Sequence, residues 1–127
     1  MARQEQEVLK LSQLAQLSWE GDSRRILQSW PKPIMQDFGL ALLDLQQGLR
    51  TRLPTRPMSS VGPGVFELKD SDADKWYRVL YLARIGNTIH ILHSFTKDTA
   101  KTERNDINVA RQRLKLVHER MRGQRAK

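Results

Sequence analysis

Lys75 to Arg84 and Thr88 to Phe95 are both rich in aromatic and β-branched residues, and only Gly86-Asn87 separates the two segments. Strands joined by so short a turn pair as an antiparallel hairpin. Upstream, Val65 to Lys69 alternates, with Phe66 and Leu68 on one face and Glu67 and Lys69 on the other, which predicts a third strand. A sheet of this kind must cover at least one face, and two helical stripes are available for that. Ile34, Phe38, Leu42, Leu45 and Leu49 recur at three- and four-residue steps, after Pro31 and Pro33 and before Gly48. Ile107, Ala110, Leu114, Val117 and Met121 form the second stripe, within a helix predicted over Glu103 to Arg122.

The remaining segments are shorter. Leu14 to Trp19 alternates imperfectly and reads as a first strand. Asp22 is placed to cap a short helix, Ser23 to Trp30, whose Ile26, Leu27 and Trp30 face inward. Residues 50–64 hold Pro54, Pro57, Gly62, Pro63 and Gly64, the composition of a loop. The order of strand, two helices, three strands and helix predicts an α+β domain over residues 14–122. A polar extension, residues 1–13, precedes it, and a basic tail, residues 123–127, follows.

Several function classes are excluded by residues the chain lacks. There is no cysteine for a disulfide, a thiolate metal site or a cysteine nucleophile, and only His90, His93 and His118 are available as imidazoles. No Walker loop, GxSxG elbow, dinucleotide fingerprint or helix-turn-helix signature occurs. The apolar runs fall far short of the roughly 20 residues of a membrane span, and the start has no signal-peptide core, so a cytoplasmic protein without membrane attachment is expected.

Charge is distributed unevenly. The formal charge is +8, yet residues 1–49 carry 5 basic and 6 acidic groups, while residues 97–127 carry 10 and 4. A one-sided positive field attracts polyanions, although it equally describes a solvated basic helix. Arg104, Arg111, Lys115 and Arg122 fall along one flank of the last helix, about 100° from its apolar stripe. The loop before that helix, Thr96 to Thr102, adds Lys97 and Lys101 beside a helix start, an arrangement that suits phosphate or a solvated loop.

Within the hairpin, Tyr77, Val79 and Tyr81 are expected to face the core, leaving Trp76, Arg78 and Leu80 on an open face shared with Glu67 and Lys69. A guanidinium, a lysine and a carboxylate converging there could serve phosphoryl chemistry, or Arg78 and Glu67 could form a surface ion pair. Trp76 could stack on a base or pack. Alternation places His90 and His93 on opposite faces of the last strand, one bonded locally and one available as a general acid/base.

Taken in order, Gly64-Val65-Phe66-Glu67-Leu68-Lys69, Trp76-Tyr77-Arg78-Val79-Leu80-Tyr81, Ile91-Leu92-His93-Ser94-Phe95-Thr96-Lys97, Lys101-Thr102 and Asp106-Ile107 resemble the RelE/ParE toxin superfamily. The likeness is specifically to its HigB-like, phage-derived branch, and it covers about residues 14–120. The resemblance implies a RelE-like fold: an N-terminal strand and helical hairpin packed on a small antiparallel sheet, with a C-terminal helix. It implies the toxin of a type II toxin–antitoxin system, partnered by a helix-turn-helix antitoxin. The activity implied is ribosome-dependent cleavage of mRNA by 2′-OH attack on the adjacent phosphate, with no metal or other cofactor.

Carried over to this chain, the resemblance implies a catalytic set of Arg78 on the reacting phosphate and Lys97 as a second cation, with Glu67 and His93 for proton transfer. Lys69, Trp76, Lys101, Arg104, Arg111 and Lys115 are then expected to bind RNA. The branch usually has a second basic residue and a proline where this chain has Asp98 and Glu103. ParE-like inhibition of DNA gyrase without nuclease activity is the alternative on the same fold, and a plain RNA- or ribosome-binding module is a third reading.

Overall fold

The structure, a computed structural model, describes residues 14–98 and 103–125. It is an α+β protein with one five-stranded sheet. The strands are β1 (Gln16–Trp19), β2 (Thr55–Pro57), β3 (Val65–Ser71), β4 (Trp76–Ile85) and β5 (Thr88–Lys97), and the helices are α1 (Ser23–Gln28), α2 (Lys32–Gln46) and α3 (Arg104–Arg125). The sheet order is β1-β5-β4-β3-β2. β1 joins the edge of the sheet parallel to β5, so the expected antiparallel sheet is a mixed one with the N-terminal strand inside it.

The β4–β5 hairpin forms as its turn requires, with Gly86 at φ +59° in a two-residue connection. On one face, Leu68, Tyr77, Val79, Tyr81, Ile89 and Ile91 pack against Leu27 and Trp30 from the α1 side and against Ile34, Phe38, Ala41 and Leu42 from α2. Each fully buried apolar side chain of this size contributes about 1.5–3 kcal/mol. Leu49 does not continue the α2 stripe. The helix stops at Gln46, Gly48 turns the chain at φ +73°, and Leu49 is exposed.

On the other face, Ala110, Leu114 and Val117 of α3 cover Val65, Leu80, Leu82, Leu92 and Phe95, together with Met58 and Val61 from the loop after β2. The face expected to be open is therefore a second core. The stretch read as loop also contains β2, a short edge strand whose Arg56 lies opposite Glu67 and whose Pro57 lies opposite Phe66; proline is tolerated on such an edge. α3 runs through Arg125, so residues 123–125 of the expected tail are helical. The 1–13 extension and Lys101 lie outside the described residues. Among the described residues, no helix is long and apolar enough to cross a membrane.

A bulge corrects the expected placement of the histidines. Tyr81 pairs with Ile91 and Leu80 with His93, which leaves Leu92 as an extra residue in β5. Ile89 and Ile91 face the α1–α2 layer, whereas His90, Leu92, His93 and Phe95 all turn toward α3. Both histidines therefore share a face.

Asp22 holds the N-cap position of α1 but makes no side-chain cap bond. Its Oδ1 instead accepts from Arg113 Nη2 of α3 at 2.8 Å. Arg113 also donates to the Leu92 carbonyl at 2.9 Å. Its guanidinium lies so near Gly21 (φ +54°) that a β-carbon there would come within 2.5–2.6 Å of it.

Candidate functional site

Cross-strand register gathers most of the expected site residues on the α3 side of the sheet. Lys97 pairs with Trp76, Phe95 with Arg78, and Arg78 with Lys69; the next row holds His93, Leu80, Glu67 and Arg56. Lys69 places its ammonium 4.8 Å over the Trp76 ring, a cation–π contact at the end of the sheet where β3 finishes and β4 begins.

Arg78 and Glu67 do not stand on an open surface. Arg78 is 0% exposed and Glu67 1%, and Arg78 Nη1 donates to Glu67 Oε1 at 2.6 Å. Arg56, more than half exposed, donates from Nε to the same oxygen at 3.0 Å. A carboxylate shared by two guanidiniums offsets some of the cost of burying charge, and removing one member leaves the others uncompensated. In this arrangement neither Arg78 nor Glu67 reaches solvent, so contact with a phosphate requires a rearrangement above them.

His93 is held on both ring nitrogens. Since an ionised carboxylate only accepts, Nε2–H donates to Asp106 Oδ1 at 2.9 Å, and Nδ1 faces Arg113 Nη1 at 3.4 Å as acceptor. Its ring stacks on Phe95 with centroids 4.9 Å apart. Burial holds the imidazole pKa below its ordinary value, opposed by the Asp106 bond. The neutral ring is therefore fixed as a strut between β5 and α3, with no nitrogen left for proton transfer to a ligand in this state.

Lys97 is clamped by Asp106 Oδ2 at 2.7 Å and by Glu103 Oε2 at 3.0 Å. The hydrogen bond to Asp106 raises its pKa, so it stays an ammonium, but one already paired. Glu103 supplies half of that clamp. Arg104, Arg111 and Lys115 lie exposed on the outer flank of α3 rather than in the rows of the sheet, and Arg111 Nε donates to the Ser60 carbonyl at 2.6 Å.

The structure adds residues that the pattern of strands does not reveal. Asp106, Arg113 and Arg120 sit seven residues apart on α3 and bind in turn His93 with Lys97, Asp22 with Leu92, and Glu20. Equal spacing of seven puts all three on nearly one line of the helix, the one sequence signal that points to this seam. Two clefts of about 450 Å³ lie apart from the expected site residues. One involves Glu20, His90 and Arg120; the other involves Trp30, Asp72, Tyr77 and Thr96. Among the described residues, no group of three His, Asp or Glu side chains could hold a metal ion.

The family model described as Phage derived protein Gp49-like (DUF891) matches residues 25–115, a stretch running from α1 into α3 that contains every expected site residue. The chain belongs to this family, a RelE/HigB-like group associated with the toxins of toxin–antitoxin systems. Neither a curated protein nor a solved structure matches the chain significantly.

Proposed function

We propose that this chain is a HigB-like toxin with a RelE-like fold, a cytoplasmic, ribosome-dependent endoribonuclease kept inactive by a helix-turn-helix antitoxin. The observation that carries the reading is the convergence of Lys69, Trp76, Arg78 and Lys97 in adjacent register rows of one sheet face. Family membership supports the toxin setting. In the proposed reaction the RNA 2′-oxygen loses its proton and attacks the adjacent phosphorus, the P–O5′ bond breaks, and the departing oxygen takes a proton. The products carry a 2′,3′-cyclic phosphate and a 5′-hydroxyl. Trp76 offers a stacking surface, while Lys69 and Lys97 offer charge to the pentacoordinate phosphate. Arg78 joins them once it exchanges Glu67 for phosphate, a step that docking on the ribosome would drive.

The burial of Arg78 in its pair with Glu67 favours a second reading, in which the same face is purely structural and the chain inhibits gyrase as ParE-like proteins do. Primer extension on a defined message after induction separates the two. Cuts inside the translated frame that vanish when initiation is blocked support the nuclease. Intact message with trapped gyrase–DNA complexes rejects it.

A further inference from the structure

Glu103 and Asp106 stand at the start of α3, and both turn back onto Lys97, the last residue of β5. The Glu103 carbonyl accepts from the Ile107 N–H at 3.2 Å, so the helix begins on Glu103, and Asp106 lies in its first turn. Acids at a helix start are favoured by its dipole. That accounts for their type. It does not account for two carboxylates meeting on one ammonium of another element, Asp106 Oδ2 at 2.7 Å and Glu103 Oε2 at 3.0 Å.

The two acids are held differently. Asp106 is 6% exposed and its other oxygen accepts from His93 Nε2–H at 2.9 Å, so both of its oxygens are engaged. The Glu103 side chain is 64% exposed, and an ion pair that open to water is weak enough to exchange. Lys97 brings one positive charge to two negative ones, and two of its three N–H donors are spent. The excess negative charge sits where the reading above needs a phosphate to settle. Lys97 is level with Trp76 in the strand register, and its ammonium is 5.9 Å from the ring of Phe95, the residue opposite Arg78.

We propose that Glu103 is an autoinhibitory arm: in the resting chain its carboxylate takes the place of a substrate phosphate on Lys97, and the RNA phosphodiester displaces it. Asp106 stays and keeps the ammonium aimed. The proposal deepens the nuclease reading above and rests on its placing of phosphate at Lys97. A phosphodiester, like the Glu103 carboxylate, carries one negative charge on oxygens that an ammonium can bind, so the exchange conserves charge at the lysine. A compact ammonium on a flexible stem suits such an exchange, because it does not demand the planar partner that a guanidinium prefers. Displacement of the arm belongs to binding and precedes the chemistry, so it sets substrate affinity and leaves the chemical step unchanged.

The test is the affinity of the full chain for a short 2′-O-methyl oligoribonucleotide, whose blocked 2′-oxygen cannot attack, with the NMR signal of the Lys97 ammonium followed in the same titration. Glu103→Gln is expected to tighten binding about threefold, the size of a lost exposed ion pair. Glu103→Asp keeps the charge but shortens the arm by one methylene, and should tighten binding as well. Glu119→Gln removes an exposed acid about 24 Å further along α3, at ~1.5 Å per residue and beyond the screening length, and should leave affinity at the wild-type value. On translating ribosomes Glu103→Gln should lower KM and leave kcat unchanged. A Glu103→Gln chain that binds no tighter than wild type overturns the proposal. So does an equal gain in Glu119→Gln, wild-type affinity in Glu103→Asp, or a Lys97 signal that the oligoribonucleotide does not move. Message left intact on translating ribosomes would defeat the nuclease reading while the tighter binding persists, so the two failures are distinguishable.

Discussion

His93 and Asp106 meet at 2.9 Å, and through them β5 is joined to the first turn of α3, with Lys97 bound to the other oxygen of the same aspartate. Burial favours the neutral imidazole here, and the bond to Asp106 opposes it without reversing it. A histidine pKa held below the unfolded value of 6.5 contributes stability that is fully present above that pH. The contribution is lost as pH falls through the folded-state pKa. Wild type should therefore lose thermal midpoint as pH falls below 6.5, and His93→Gln should flatten that acid limb of the profile. A variant with an unchanged acid slope would contradict the role given to His93.

Asp70 predicts the opposite slope. Burial, then a hydrogen bond with Asp37 of α2, raises its pKa from 3.8 to about 6. The protonated form is the one the fold favours, so this contribution is present below 3.8 and lost as pH rises through about 6. Asp70→Asn should raise the midpoint at neutral pH by a few °C, about 1 kcal/mol after allowance for solvent screening, and give little gain near pH 4. Comparing the two pH profiles in one thermal series checks it.

Two glycines predict opposite responses to alanine. Gly21 combines a φ of +54° with the Arg113 guanidinium against its α-carbon, whereas Gly39 lies within α2 with nothing inside 4 Å of the place a methyl would take. Gly21→Ala should cost about 1–3 kcal/mol through strain and loss of the Arg113 clip. Gly39→Ala should gain about 0.5–1 kcal/mol from helix propensity. Urea midpoints on both variants measure the pair.

The Glu67–Arg78 pair predicts a stability loss as well as an activity loss. Arg78→Ala leaves a buried carboxylate with Arg56 and should cost about 3–5 kcal/mol, while Glu67→Leu combined with Arg78→Met should recover most of it. Cleavage should stay absent in that refolded double variant and return only partly in Arg78→Lys, because a point charge lacks the planar fork. Full cleavage by the double variant would reduce the pair to a structural role.

Much of the fold is legible in the sequence because it is local. The Gly86-Asn87 hairpin, the alternation of β3 and the two apolar stripes each depend on spacing within one element, and each is present. The features that are not legible depend on contacts between distant segments. Nothing in the alternation of β4 tells whether its second face meets water or α3, so Arg78 reads as exposed when it is sealed. A one-residue bulge at Leu92 brings the two histidines, expected on opposite faces, onto the same one. Asp22 resembles a helix cap by type and position, but a stronger partner, Arg113, comes from 91 residues away. The site residues can be read as a set because strand register follows from the hairpin. Their pairing cannot, because Glu103, Asp106 and Arg56 arrive from other elements.

The most direct measurement is chemical. Purified chain is incubated with a defined message, with and without initiated ribosomes, and the ends of the RNA fragments are identified. The account predicts cleavage within the translated frame only when ribosomes are engaged, with 2′,3′-cyclic phosphate and 5′-hydroxyl ends. Message that stays intact on translating ribosomes, or that is cut equally without them, would contradict it.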